Sequence, residues 1–150
     1  MYKRQFLGRI PGTEIYSDNA RHPENEPIPG VIAFRPEASV VYANAEAVLE
    51  AVLGHLRETG TSRIRLAVCD LSASPYVDLA AARMLHNLHS ELEARGIALR
   101  IVGARGRVRD LLRADGLSGK VGGLDRAVTL ASILAGRETA ELEEIEARRV

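Results

Sequence analysis

The sequence is poor in residues that many functional sites require. It contains one cysteine, Cys69, and no tryptophan, and aromatic residues make up only 4% of the chain. A single cysteine cannot form a disulfide within the chain, and it is typical of proteins from a reducing compartment. Lysine plus arginine and aspartate plus glutamate number 20 each, so the overall charge provides no attraction for nucleic acid. We therefore expect neither a disulfide-stabilised secreted domain nor a nucleic-acid-binding protein.

Long hydrophobic runs are also missing. A transmembrane helix needs roughly 18 or more consecutive apolar residues, and no run in the sequence approaches that length. The opening residues, MYKRQFLGRIPG, lack the apolar centre of a secretory signal. The sequence therefore predicts a chain that is soluble and does not itself span a membrane. Its 46% of hydrophobic residues is enough for one domain with a substantial core.

The two ends of the chain differ in composition from the middle. Residues 1–29 contain four of the six prolines and little apolar periodicity, which predicts an extended leader or linker. We expect this segment to be partly docked on the domain through its apolar residues Ile10, Ile15, Tyr16 and Ile28. Residues 137–150 are highly charged and predict a solvated helix or a frayed end. The domain itself is expected to cover residues 30–136.

The middle of the chain alternates between strand and helix patterns. VIAFR (31–35) and VVYA (40–43) are β-type runs separated by the turn signal PEAS, and they predict a hairpin. Asn44 is a suitable N-cap for a helix that ends at Gly60. RIRLAVCD (63–70) becomes continuously apolar, as an interior parallel strand does.

A second helix and strand follow, and two further helices complete the chain. Asp78 can cap a helix that stops at Gly96, whose buried face is predicted to contain Ala81, Met84, Leu85, Leu88 and Leu92. IALRIVGA (97–104) predicts another strand. The order ββαβαβαα predicts an α/β fold: a mostly parallel sheet of about four strands, with an opening hairpin, covered by four to five helices.

Several motifs in this order resemble the STAS domain. The chain contains D-L-S-x-x-x-x-V-D at 70–78, L-E-A-R-G-I at 92–97 and V-R-D-L-L-R-A-D-G-L at 108–117, and the likeness runs from about residue 29 to 134. STAS domains occur in sulphate-permease (SulP) anion transporters and in bacterial anti-sigma factor antagonists. The stretch PGVIAFRPEASVVYANAE (29–46) is more similar to the transporter branch. The resemblance implies the STAS fold, no enzymatic activity, no catalytic residues and no cofactor.

The loop from Asp70 to Leu79 is the predicted interaction site. In the antagonist branch, the residue after the helix-start aspartate is a serine or threonine that a kinase phosphorylates, and here Leu79 stands at that position. Leucine has no oxygen to phosphorylate, so this switch is lost. Leu79 is interpreted either as part of an exposed apolar patch or as a buried first-turn residue. The residues predicted to form the interaction loop are Asp70, Ser72, Ser74, Tyr76, Asp78 and Leu79.

A second candidate site is the arginine cluster of GARGRVR (103–109). Arg105, Arg107 and Arg109 lie at a loop-to-helix entry, where guanidinium groups and free N–H groups could hold an anion or a nucleotide. The alternative is a solvated helix face balanced by Asp110 and Asp115. The glycines do not form a dinucleotide-binding fingerprint.

Metal and hydrolase sites are not predicted. His86, His89 and Glu93 lie at helical spacing, but no second cluster supplies further ligands. Ser72 and Ser74 lack a G-x-S-x-G nucleophile motif.

By resemblance, the chain is expected to be a regulatory domain of a bacterial SulP-type anion transporter at the cytoplasmic face of the inner membrane. It would act through protein–protein contacts with the transmembrane domain of the same transporter, with a sister protomer or with a cytosolic regulatory protein. The alternatives are a stand-alone antagonist-like regulator, with Leu79 replacing the phosphoacceptor, and, less favoured, a nucleotide-binding domain.

Overall fold

The computed structural model of the protein describes residues 4–60 and 63–149. Its elements are β1 (Arg4–Arg9), β2 (Tyr16–Asp18), β3 (Val31–Pro36), α1 (Tyr42–Thr59), β4 (Leu66–Asp70), α2 (Leu79–Glu93), β5 (Ala98–Val102), α3 (Gly106–Ala114) and α4 (Leu130–Arg149). A short 3-10 turn at Ser118–Lys120 lies between α3 and α4.

The strands form one five-stranded sheet in the order β2-β1-β3-β4-β5. β3, β4 and β5 are parallel, whereas β1 is antiparallel to both of its neighbours. The crossovers between the parallel strands are made by α1 and α2, as connections between parallel strands require. The α/β class and the mostly parallel sheet predicted from the sequence are confirmed, with five strands instead of about four.

Helices cover both faces of the sheet. On one face Phe34 and Cys69 pack with Leu56 of α1 and Leu88 of α2 in the larger core. On the other face Val68 belongs to a smaller cluster that includes residues of α4. The central strand β4 is therefore buried on both sides, which explains its continuous apolar run.

The predicted hairpin between 31–35 and 40–43 does not form. The chain turns after β3, and Val40 makes an isolated parallel bridge with Val77 of the loop that precedes α2. Val40 is almost fully buried, and α1 already begins at Tyr42. Tertiary packing of Val40 overrides the local β-type pattern here. The opening hairpin of the sheet is instead β1–β2.

Helix boundaries follow the predicted stop and start signals with one correction. Asn44 is not the N-cap of α1: Val41 takes that position, and the Asn44 side-chain oxygen accepts a hydrogen bond from the Val41 N–H at 2.8 Å. Gly60 caps α1 with φ of 80°. Asp78 caps α2 as predicted. The predicted inner face of α2 is buried throughout.

The two ends of the chain contribute regular structure. Residues 4–9 and 16–18, which the sequence placed in a leader, are strands of the sheet. Tyr16 and Ile28 pack against the smaller core cluster, whereas Ile15 is 61% exposed. Residues 138–149 continue α4 as a solvent-exposed helix, which is one of the two forms that the charged composition of this end predicts.

Candidate functional site: the loop after β4 and the adjoining helix ends

The loop that follows β4 lies at the carboxyl edge of the parallel strands. Loops at this edge are the usual place for function in α/β folds. Leu71 is tied back to the end of β5, since its N–H donates to the Val102 carbonyl at 2.9 Å. The loop is thereby held close to the start of α3.

The Asp70 carboxylate pairs with neighbouring groups of the domain. Its Oδ2 accepts from Arg35 Nε at 3.0 Å and lies 2.9 Å from Arg35 Nη2, and its Oδ1 accepts from the Ser72 N–H at 2.9 Å. Asp70 is only 7% exposed. Gly103 fits against it with φ of +72°, because a Cβ at that position would lie 2.6 Å from Asp70 Oδ1. The carboxylate is therefore paired and closed off from ligands.

The two serines of the loop have different environments. Ser74 is fully buried, and its hydroxyl donates to the Ala38 carbonyl at 2.8 Å, so it fixes the loop against the turn after β3. Ser72 is exposed. Of this pair, only Ser72 has a hydroxyl that an enzyme could reach without unfolding the loop.

Asp78 caps two helices at once. Its Oδ1 accepts from the Ala81 N–H of α2 at 2.9 Å, and its Oδ2 accepts from the Tyr42 N–H of α1 at 2.8 Å. Helix N-termini carry unpaired N–H groups and partial positive charge, which a carboxylate satisfies. The Val40–Val77 bridge brings the two helix starts together. Asp78 thus joins α1 and α2, and both oxygens that could meet a ligand are occupied.

Apolar side chains dominate the exposed part of the loop. Leu79 is 47% exposed and Tyr76 is 60% exposed, so Leu79 is not buried in the first turn of α2. Tyr42, 84% exposed, starts the neighbouring helix. Below Tyr76 and Leu79 a groove of about 260 Å³ runs towards α3. It is lined by Pro75, Tyr76, Val77, Asp78, Leu79, Arg107, Val108 and Leu111.

We call this surface, made of Tyr76, Leu79 and the groove beside Leu111, the loop face. Sequence reasoning found Tyr76 and Leu79 but missed Tyr42 and Leu111. Leu111 follows the helical pattern of α3 and its contribution to a groove depends on how α3 packs. No local signal marks it.

The three arginines of the predicted cluster lie in different environments. Arg109 turns back, and its Nη1 donates to the Ala104 carbonyl at 2.7 Å. Arg107 lines the groove, and Arg105 is the exposed N-cap residue of α3. The proposed balancing acids are engaged elsewhere: Asp110 lies 4.0 Å from Arg113, and Asp115 pairs with His86 at 3.0 Å.

Three other titratable residues, His86, His55 and Cys69, have structural contacts. His86 bridges α2 to the end of α3 through Asp115. The His55 ring stacks on Phe6 with centroids 4.0 Å apart, and desolvation lowers its pKa. Burial raises the pKa of the Cys69 thiol far above its usual range, and the neighbouring Asp70 adds to the effect. Cys69 therefore remains a protonated core residue, not a nucleophile.

The described ranges, 4–60 and 63–149, contain neither a cluster of metal-binding side chains nor a membrane-spanning helix. Within them, no three histidine, cysteine, aspartate or glutamate side chains are grouped so that they could hold a metal ion. No helix in the same ranges combines the length and hydropathy needed to cross a bilayer.

Known proteins provide close sequence relatives. The chain is 31% identical over 127 residues to low affinity sulfate transporter 3 of Stylosanthes hamata, covering 79% of this chain and 20% of the transporter. It is 29% identical over 129 residues to sulfate transporter 2.1 of Arabidopsis thaliana, covering 79% and 19%. The chain therefore spans about a fifth of the length of these relatives.

Solved structures share the fold. The murine anion transporter Solute Carrier 26 family member A9 superposes with a TM-score of 0.75 at 19% identity, over 92% of this chain and 22% of the transporter. A Thermotoga maritima protein described as an anti-sigma factor antagonist gives 0.61 at 17% identity, over 71% and 86%. The SulP transporter STAS domain of Vibrio cholerae gives 0.50 at 25% identity, over 74% and 85%.

The family model of the STAS domain matches residues 22–131, most of the chain. This match agrees with the sheet order and helix placement described above. The chain therefore belongs to the STAS domain family.

Proposed function

We propose that the chain is the non-enzymatic regulatory domain of a SulP-type anion transporter, placed at the cytoplasmic face of the inner membrane. It acts by protein–protein contact through the loop face, and the transmembrane domain of the same transporter is its first partner. The sequence relatives support the transporter branch, since those quoted above are sulfate transporters.

One observation carries the proposal: the exposed side chains of the loop face are mainly apolar, and the polar groups of the loop already have partners within the domain. Leu79 is 47% exposed at the position where the antagonist branch has its phosphoacceptor. The Asp70 and Asp78 carboxylates are occupied by Arg35 and by two helix N-termini. Ser74 is buried and hydrogen-bonded. A surface of this kind suits docking, where exposed apolar patches are stabilised by a partner.

The test requires the complete transporter polypeptide, and the open reading frame around the chain is examined first. A frame without membrane-spanning segments contradicts the proposal. In cells that lack their own sulfate uptake, radiolabelled sulfate uptake is then compared for Leu79→Glu, for Leu79→Met and for the parent. We expect Leu79→Glu to change uptake at equal surface expression and Leu79→Met to behave like the parent. Equal uptake for all three would refute the role of the loop face.

A stand-alone antagonist-like regulator is the second candidate. It is favoured by the fold of the Thermotoga maritima protein and by the exposed hydroxyl of Ser72. Phosphopeptide mass spectrometry of the protein purified from its host distinguishes the two proposals. Stoichiometric phosphate on Ser72, in a protein with no membrane domain, favours the antagonist.

A further inference from the structure

Large apolar side chains are exposed at few places on the described surface. Six are exposed: Ile15, Tyr42, Tyr76, Leu79, Leu142 and Ile145. Three of them lie at or beside the loop face, and Leu142 and Ile145 lie on the exposed end of α4. Isolated apolar residues need no explanation, but clusters indicate contact surfaces. The described residues thus form two exposed apolar patches, one at the loop face and one at the end of α4.

The loop face is bordered by arginine side chains that have no partner among the described residues. The side chains of Arg83, Arg105 and Arg107 make no hydrogen bond or ion pair with any residue in the described ranges, in contrast to those of Arg109 and Arg113. Arg107 lines the groove, and Arg83 follows Leu79 by one helical turn on α2. Although Asp78 also lines the groove, its carboxylate is used in capping two helices, so the free charges beside the groove are positive, which fits an apolar segment with acidic flanks.

The end of α4 has that composition. Residues 138–149, which we call the tail, are all exposed, and Leu142 and Ile145 are three positions apart on one side of the helix. The tail contains five glutamates at 138, 141, 143, 144 and 146 and two arginines at 148 and 149. Glu138, Glu143 and Glu146 form no ion pair with any residue in the described part of the chain.

The tail cannot reach the groove of its own molecule. Arg137, just before the tail, donates to the Pro29 carbonyl at 2.9 Å, at the amino end of β3. The loop face lies at the carboxyl edge of the same sheet, beyond the full length of β3. A continuous helix that leaves from one edge cannot fold back to the other. Any contact between the tail and a loop face must therefore join two copies.

We propose that the tail of one copy docks in the groove of the loop face of a second copy. Leu142 and Ile145 enter the groove between Leu79 and Leu111, and the tail glutamates approach Arg83, Arg105 and Arg107. This inference rests on the proposed function of the loop face as a docking surface, and it names the occupant. A 12-residue helix is about 18 Å long, so the interface is small and the association is weak. If two copies are held in one transporter, the effective concentration of the tail near the groove of the other copy is raised, and a weak contact can form.

The test measures self-association of the 150-residue chain by sedimentation equilibrium at about 10 μM to 1 mM, a range suited to small, weak interfaces. The tail variant is Leu142→Lys with Ile145→Lys, and the groove variant is Leu79→Glu with Arg107→Glu. Glutamate is favoured in the first turn of a helix, so the groove variant is expected to fold, which circular dichroism checks. Ile15→Lys, an exposed apolar residue elsewhere, is the matched control.

We expect the parent and Ile15→Lys to associate alike, and each interface variant to associate at least tenfold more weakly. An equimolar mixture of the tail and groove variants should recover association, since one intact tail still meets one intact groove. A parent that stays monomeric up to 1 mM overturns the inference. So does a tail variant that loses association while the groove variant keeps it, because that result indicates tail–tail pairing.

The two proposals can fail separately. If Leu79→Glu changes sulfate uptake in the complete transporter but the groove variant does not weaken self-association, the loop face is a docking surface for another partner. The proposed function then stands and the present inference is wrong. If neither measurement changes, both are wrong.

Discussion

Replacing Asp78 should destabilise two helices at once, because one carboxylate caps both α1 and α2. The Asp78→Ala substitution removes acceptors at 2.8 Å from the Tyr42 N–H and at 2.9 Å from the Ala81 N–H. An N-cap acceptor stabilises a protein by about 0.5–2 kcal/mol, and a carboxylate at a helix N-terminus adds about 0.3–1 kcal/mol. For two helices we expect the free energy of unfolding to fall by about 2–4 kcal/mol.

Urea unfolding followed by circular dichroism measures this loss, and Asp78→Asn should lose about half as much because it retains one oxygen acceptor. Asp110→Ala is the control: its side chain is 80% exposed and 4.0 Å from Arg113, so its effect should stay within about 0.5 kcal/mol. Hydrogen exchange should show faster exchange at both Tyr42 and Ala81. A loss below about 1 kcal/mol, or faster exchange at only one of these amides, would refute the double cap.

Three further predictions concern the core. In Arg35→Met the buried Asp70 loses its cation, and we expect the free energy of unfolding to fall by about 3–5 kcal/mol. Adding Asp70→Asn to the same chain should largely restore it, which a double-mutant cycle measures; additive losses contradict the pairing. Desolvation lowers the pKa of folded His55, so the unfolded chain binds more protons as the pH falls from the ordinary histidine pKa towards the lowered one, and the free energy of unfolding decreases as the pH falls. His55→Phe should therefore gain stability relative to the parent as the pH is lowered from 7 to 5, which urea titrations at both values check, with His89→Gln as control. Cys69 is buried with a raised pKa, so a chromogenic disulfide reagent at pH 8 should react with it only as fast as the protein unfolds; rapid reaction without denaturant contradicts this.

Elements with a complete local signal could be predicted from the sequence. α2 has its capping aspartate and its apolar stripe where the pattern placed them, and it ends at Glu93, shortly before Gly96, whose φ is +71°. β4 was recognised because its apolar run is continuous. These signals are local, so tertiary contacts reinforce them without changing them.

Other features depend on contacts that a single sequence does not display. Val40 and Val41 have high β propensity, yet they precede a helix because Val40 bridges to Val77 across the structure. The Arg35–Asp70 pair joins neighbouring strands 35 positions apart in the chain. For the candidate site, the loop residues were predicted, but the second cap made by Asp78 and the groove wall at Leu111 follow from helix packing.

The position of β1 between β2 and β3 has a consequence for where the protein can be cut. Because residues 1–29 are rich in proline, they resemble a linker, and a truncated protein that starts at Gly30 would be an obvious choice. Such a fragment would lack both antiparallel strands and would leave the apolar β3, VIAFRP, as an open edge with unpaired backbone groups. Edges of this kind recruit further strands and lead to aggregation. A pulling force applied upstream of Arg4 would act on β1 along its length. The hydrogen bonds of β1 to β2 and to β3 would resist that force together, in shear.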